Sequence, residues 1–149
     1  MTDTSARMTA ESFLSRLADR GVEYVLANAG TDFAPIIEAL SRNPLSTVDL
    51  IHPDPWPKRR HWKRRFIQDE NLKRLARILK QGGELRFATD VADYSVYTLA
   101  RVLRSADFVW TAECADDWRR PWLDFAGTRY EAKAKREGRQ PTYLTFRCA

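Results

Sequence analysis

Three short runs of strand-forming residues, VEYVLA (22–27), TVDLIH (47–52) and ELRFAT (84–89), alternate with stretches whose apolar residues recur every three or four positions. That alternation constrains the fold more than any other feature. Strands joined through helices return in the same direction, so the pattern implies an α/β chain built on a largely parallel sheet. Thr9 is placed to cap a first helix carrying Phe13, Leu14 and Leu17, and Gly21 would end it. Phe33, Ile36, Ile37 and Leu40 mark a second helix after the NAGTD turn. SRNPLS (41–46) is a connector, dividing an α–β–α segment over 1–41 from the body of the chain over 42–149. In DENLKRLARILK (69–80), Leu72, Leu75, Ala76 and Leu79 share one face, with Gln81-Gly82-Gly83 as the stop. VADYSVYTLARVLRS (91–105) is again amphipathic. The final strands, DFVWTAE (107–113) and PTYLTFRC (141–148), are separated by an excursion rather than a clean crossover, and could pair as an antiparallel hairpin.

A chain of 149 residues is one domain with room for a hydrophobic core. Lys and Arg outnumber Asp and Glu by only 25 to 20, a formal charge of +5, so the placement of the excess decides its meaning. Much of it lies in HPDPWPKRRHWKRR (52–65), directly after the second strand run. Pro53 ends that strand because it cannot donate to a ladder, and together with Pro55 it stiffens Asp54. The basic residues of 57–65 are suited to phosphates. Trp56 and Trp62 offer flat faces to an unstacked base, worth about 1–3 kcal/mol each if stacked. Read without that context, the charge run is equally a solvated face and Asp54 a turn residue.

Ligands of open α/β sheets sit beyond the carboxyl ends of the strands. Asp54 and Asp90 follow two such ends, so both acids are expected at one crevice although 36 positions separate them. Asp90 is also a candidate cap for the helix beginning at Val91. Thr128 and Glu131 have the spacing of a capping box, at a helix start where backbone N–H groups favour phosphate. Tyr130 adds a stacking face, while Trp110, Trp118 and Trp122 read as packing. His52 and His61 stand alone, and neither they nor Cys114 and Cys148 have metal-ligand spacing, so no metal is assigned and reduced thiols are expected. No apolar stretch approaches the roughly 20 residues that cross a bilayer, and no signal peptide is apparent. A cytoplasmic location and no membrane partner are the expectations.

The segments DLIHPDPWPKRRHWKRRFIQDENLKRLARILKQGGELRFATD, ADDWRRPW and GTRYEAKAKREGRQPTYLTF resemble, in that order, the tRNA (guanine-N7)-methyltransferase family over residues 47–149. The resemblance implies a Rossmann-like sheet and methylation of a variable-loop guanine at N7, with S-adenosylmethionine as cofactor and tRNA as partner. It implies a catalytic or cofactor-proximal role for Asp54, and substrate contact for Lys58, Asp90, Thr128, Arg129, Tyr130 and Glu131. The family's glycine-rich loop has no counterpart here: Gly21 and Gly30 are the only glycines before residue 80. An N-terminally truncated sheet is therefore expected.

The first 40 residues permit two readings. Asp32 lies 22 positions before Asp54, close to where the family places an acid near the cofactor's adenine. MTAESFLSRLADRGVEYVLANAGTDFAPIIEAL also resembles the opening of thiamine-diphosphate enzymes of the acetolactate-synthase type. Three functional expectations result: the methyltransferase itself, a catalytically dead tRNA-binding remnant lacking the cofactor loop, and an interaction module that self-associates through an exposed sheet edge.

Overall fold

A computed structural model describes residues 12–16, 19–20 and 44–149. Residues 12–16 are helical, and Leu14 packs against the core. The other expectations for 1–41, Asp32 among them, lie outside the described residues.

The body runs β1 (Leu45–Ile51), a 3-10 helix (Arg59–Arg64), α1 (Asp69–Ile78), β2 (Leu79–Thr89), α2 (Ala92–Val102), β3 (Phe108–Trp110), a helical turn α3 (Asp116–Arg119), α4 (Arg129–Arg136) and β4 (Thr142–Cys148). The four strands form one sheet in the order β1-β2-β4-β3. β1 and β2 are parallel, as a strand–helix–strand crossover requires. β4 runs antiparallel to both β2 and β3, so the final pair does close in the antiparallel sense.

Alternation along the strands separates two faces. Val48, Leu85 and Phe146 are aligned across the sheet, as are Leu50, Phe87 and Leu144. These residues share a core with Leu72, Leu75 and Ile78 of α1 and with Tyr94 and Val102 of α2. The opposite face carries Asp49, Arg86 and Thr145 in one row. There the excursion after β3 returns over the sheet: Trp122 donates its indole N–H to Thr145 Oγ1 (2.9 Å), and Arg86 forks onto Asp124 (2.9 and 3.0 Å).

The expected helix stop at 81–83 is instead a bulge inside β2. Leu45 pairs with Leu79, whereas Thr47 already pairs with Glu84, so the intervening residues loop out of register. Gly82 takes φ 75°, and a Cβ on Gly83 would lie 2.9 Å from the Lys80 carbonyl oxygen. Both glycines therefore serve the bulge rather than a helix cap. Among the described residues no helix is long and apolar enough to cross a membrane.

Candidate functional site

Because β1 and β2 are parallel, their carboxyl ends lie together, and antiparallel β4 begins at the same end. Three connections meet there: the HPDPW loop, the Thr89-Asp90 turn into α2, and the segment from α4 into β4. The HPDPW loop is locally strained. His52 and Trp56 hold φ 48° and 42°, a left-handed conformation that costs a side-chain-bearing residue about 1–2 kcal/mol. Two backbone acceptors tether it: the His52 N–H donates to Ala88 O (2.8 Å), and Arg65 Nε donates to Pro55 O (2.8 Å).

Asp90 is at the centre of the cluster. Oδ1 lies 3.3 Å from His52 Nδ1, and Oδ2 accepts from Arg139 Nε at 2.7 Å. It does not cap α2, whose N-cap residue Val91 makes no side-chain capping bond. Burial works against its charge, but the Arg139 guanidinium, its own backbone N–H and His52 outweigh that and hold its carboxyl below the usual range. Glu131, nearly buried, accepts at Oε1 from Tyr143 Oη (2.6 Å) and from Lys135 Nζ. Burial again opposes ionisation, and Lys135 and Tyr143 outweigh it, so this carboxyl is also lowered. The Tyr143 hydroxyl is pushed up, by burial first and then by its bond to Glu131. Glu131 Oε2 takes no hydrogen bond among the described residues.

Thr128 Oγ1 accepts from the Glu131 N–H at 3.1 Å, which is half of the expected capping box. The reciprocal half is absent because Tyr143 and Lys135 hold the Glu131 carboxylate. Tyr130 is 57% exposed, and its ring centroid lies 6.4 Å from that of His52. Arg129 extends along Tyr130, with its Nη2 3.4 Å from the hydroxyl. The structure thus brings Asp90, Thr128, Arg129, Tyr130 and Glu131 together.

Asp54 is exposed and makes no side-chain hydrogen bond among the described residues. It leaves the sheet at the same end as Asp90, but the side chain of its loop that touches Asp90 is His52. Lys58 is exposed at the start of the 3-10 helix, where its carbonyl accepts from the His61 N–H (2.7 Å). Lys58, Arg59, Arg60, Lys63 and Arg64 are all exposed and have no carboxylate partner among the described residues.

Two expectations for this segment need correction. Arg65 is 1% exposed, with its guanidinium 4.5, 4.8 and 4.6 Å from the ring centroids of Trp62, Tyr94 and Tyr97, so it is not available to phosphate. The two indoles are not free platforms either. Arg65 and Arg59 lie over Trp62, and Arg64 lies 4.9 Å from the Trp56 centroid with His61 against the ring edge-on. Arg59 and Arg65 reach Trp62 from three positions on either side, whereas Arg64 reaches Trp56 from farther along the segment, and each guanidinium lies over a ring face. Sequence reasoning also missed His52 and Arg139. His52 had one local signal, its position at a strand end before a proline; Arg139, 49 positions from Asp90, had none.

The site makes acid sensitivity predictable. Carboxyls lowered in the folded state stabilise it fully above their unfolded values, about 4. That contribution is lost as pH falls through the lower folded values. Urea unfolding should therefore show stability falling below about pH 4, and Asp90→Asn with Glu131→Gln should flatten that fall. An unchanged slope in the double variant would refute the assignment.

The arrangement can hold a planar group that offers paired N–H donors, with two ionised acids beside an exposed ring. It offers little to a bulky nucleotide cofactor. Among the described residues, glycines 82 and 83 lie at the bulge and 127 and 138 flank α4, so none forms a turn at the carboxyl end of β1 or β2. Nor do the described residues contain a His, Cys, Asp and Glu grouping that could hold a metal.

Comparison with known proteins agrees with the sequence motifs. A family model described as "Putative methyltransferase" matches residues 6–144. A tRNA (guanine-N(7)-)-methyltransferase of Rhodopseudomonas palustris (strain BisB5) is 52% identical over 134 residues, covering 90% of this chain and 52% of that protein. The protein of the same name from Bradyrhizobium diazoefficiens is 57% identical over 116 residues, covering 78% of this chain and 49% of its own length. This chain therefore spans about half the length of the curated relatives it matches. Among solved structures, an rRNA methylase from Streptococcus thermophilus aligns over 91% of this chain and 64% of its own. At 16% identity and a TM-score of 0.41, that likeness is too loose to bear on the assignment. With the family model matched over residues 6–144 of this chain and identities above one half, the chain belongs to the tRNA (guanine-N7)-methyltransferase family.

Proposed function

We propose that the chain acts on tRNA in the cytoplasm as a guanine-N7 methyltransferase, with S-adenosylmethionine as methyl donor and a variable-loop guanine as acceptor. One observation carries the reading. Two ionised carboxylates, Asp90 and Glu131, lie with exposed Tyr130 around His52 at the strand ends, and five cations without carboxylate partners among the described residues follow the HPDPW loop that leaves β1 there.

Guanine presents N1–H and an exocyclic amine on one edge, a pattern suited to carboxylate acceptors that adenine lacks. Asp90 and Glu131 Oε2 would take those donors, Tyr130 would stack on the base, and Thr128 and Arg129 would meet the backbone near the start of α4. Lys58 and its neighbours neutralise phosphates, which makes binding steeply salt-dependent. N7 lies on the other edge and carries an in-plane lone pair, so no base need remove a proton. Alignment is the main task, and methylation leaves the purine cationic. Asp54, rigid between prolines and free of structural bonds among the described residues, would stabilise that charge.

S-adenosylmethionine supplies the methyl group in this family. The described residues do not form its cradle: they contribute Asp54 alone, and Asp32, the other position assigned to it, lies outside them. A second reading is a tRNA-binding remnant without transfer activity, supported by the described glycines, none of which forms a turn at the carboxyl end of β1 or β2. The segment 1–41 would then be a separate unit, and self-association through β1, an outer strand of the described sheet, would complete it.

Radiolabelled S-adenosylmethionine and bulk tRNA separate the readings. Label on tRNA is expected, and its absence beside salt-sensitive tRNA binding would leave the remnant. Loss of both would reject the family's substrate for this chain. A single monomeric species across concentration in ultracentrifugation would refute self-association.

A further inference from the structure

We propose that Arg139 makes guanine recognition conditional on an attached RNA backbone, a refinement that rests on the reading of this site as a tRNA guanine site. In the free protein each oxygen of Asp90 already has a partner: His52 Nδ1 lies 3.3 Å from Oδ1, and Arg139 Nε donates to Oδ2 at 2.7 Å. Guanine donors that draw on Asp90 and Glu131 Oε2 compete with one of these partners for its place on the Asp90 carboxylate. His52 is the fixed partner. Its side chain is 5% exposed, its backbone is tied to β2, and its ring centroid lies 6.4 Å from that of Tyr130. Arg139 is the exchangeable one, because its side chain is 45% exposed and the pair it makes is solvent-facing.

The local fold lets the side chain move without the backbone. Gly138 takes φ 74° just past α4, and the Arg139 N–H returns to Ala134 O at 2.9 Å, a Schellman closure. The chain is pinned at the base of the side chain, and the guanidinium is free to exchange partners. Its second contact, to Glu137, is also at the surface. An RNA phosphate is the natural alternative partner, since guanidinium forks onto phosphate as readily as onto carboxylate. Exposed Arg136 lies three residues before it in sequence.

A free nucleoside must break the Arg139–Asp90 pair and gets nothing back. A guanine within tRNA brings the phosphate that receives the guanidinium, so the exchange is nearly neutral. Arg139 thereby discriminates between guanine as a small molecule and guanine in RNA, which a bare carboxylate site does not do.

The test compares the full wild-type chain with Arg139→Gln and Arg139→Lys, using guanosine by NMR titration and bulk tRNA by filter binding across salt. Arg139→Gln is expected to bind guanosine about 3–10-fold tighter and tRNA about 3–10-fold weaker, with the log–log salt slope shallower by about 1. Arg139→Lys should restore most of the tRNA affinity. The opposite signs are the signature, because a residue that only shaped the fold would weaken both ligands. Guanosine and tRNA moving in the same direction, or an unchanged salt slope, would overturn this inference while wild-type tRNA binding left the parent reading standing. A wild-type chain that bound no tRNA would overturn both.

Discussion

Replacing Arg65 with alanine is expected to lower the unfolding free energy by about 3–5 kcal/mol, whereas Arg64→Ala, one residue away, should change it by less than about 0.5 kcal/mol. Both residues belong to one basic run, and only burial distinguishes them: Arg65 is 1% exposed and Arg64 is exposed. Arg65 fills the space between Trp62, Tyr94 and Tyr97, so truncation opens a cavity lined by three rings. It also removes the Nε–H that satisfies Pro55 O. The ion pair with Asp93 adds less, since that carboxylate is 54% exposed. Arg65→Lys should recover little, because an ammonium lacks the planar group that lies between rings and donates from Nε. Urea midpoints decide the matter: near-equal values for the Arg64 and Arg65 variants would reject a structural role for Arg65. The loss should reach the site as well, because Pro55 belongs to the loop strained at both His52 and Trp56. Releasing that carbonyl lets the loop relax away from the geometry that carries Asp54.

What was legible in the sequence followed the range of the interaction. Helix and strand positions from 44 onward depend on periodicity over a few residues, and β1, α1, α2 and β4 lie within two or three residues of their expected bounds at most ends. The Thr128 cap is a three-residue contact and was readable for the same reason. The start of β2 was not, because its bulge exists only where Leu79 finds Leu45 across the sheet. The grouping of Asp90 with the α4 residues needed both the topological rule for strand ends and the family resemblance. His52–Asp90 and Arg139–Asp90 span 38 and 49 positions and leave no periodic trace. Nor does a run of cations announce which member will be buried. Arg65 is selected by the rings that α2 brings to it, and those rings are themselves read as part of an ordinary amphipathic stripe.

Asp54→Ala is expected to reduce methyl transfer to tRNA by about 100-fold or more while tRNA affinity changes by less than about threefold and stability by less than about 0.5 kcal/mol. The separation of effects comes from the environment of the residue. Asp54 is exposed and holds no structural hydrogen bond among the described residues, so removing its carboxylate leaves the tethers at His52 and Pro55 intact. A single negative charge beside a basic segment contributes little to phosphate attraction, and its loss slightly favours binding. In the proposed transfer the carboxylate would matter as N7 acquires its methyl group and the purine becomes cationic, because a preorganised anion stabilises the transition state more than the neutral ground state. Asp54→Asn tests the charge at constant shape and should behave like alanine in rate. Asp90→Ala should instead weaken guanine recognition and acid-range stability together, since that carboxylate ties His52 to Arg139. Single-turnover rates at saturating tRNA, set beside filter-binding constants, distinguish the two acids. Transfer by Asp54→Asn at the wild-type rate would remove Asp54 from the chemistry.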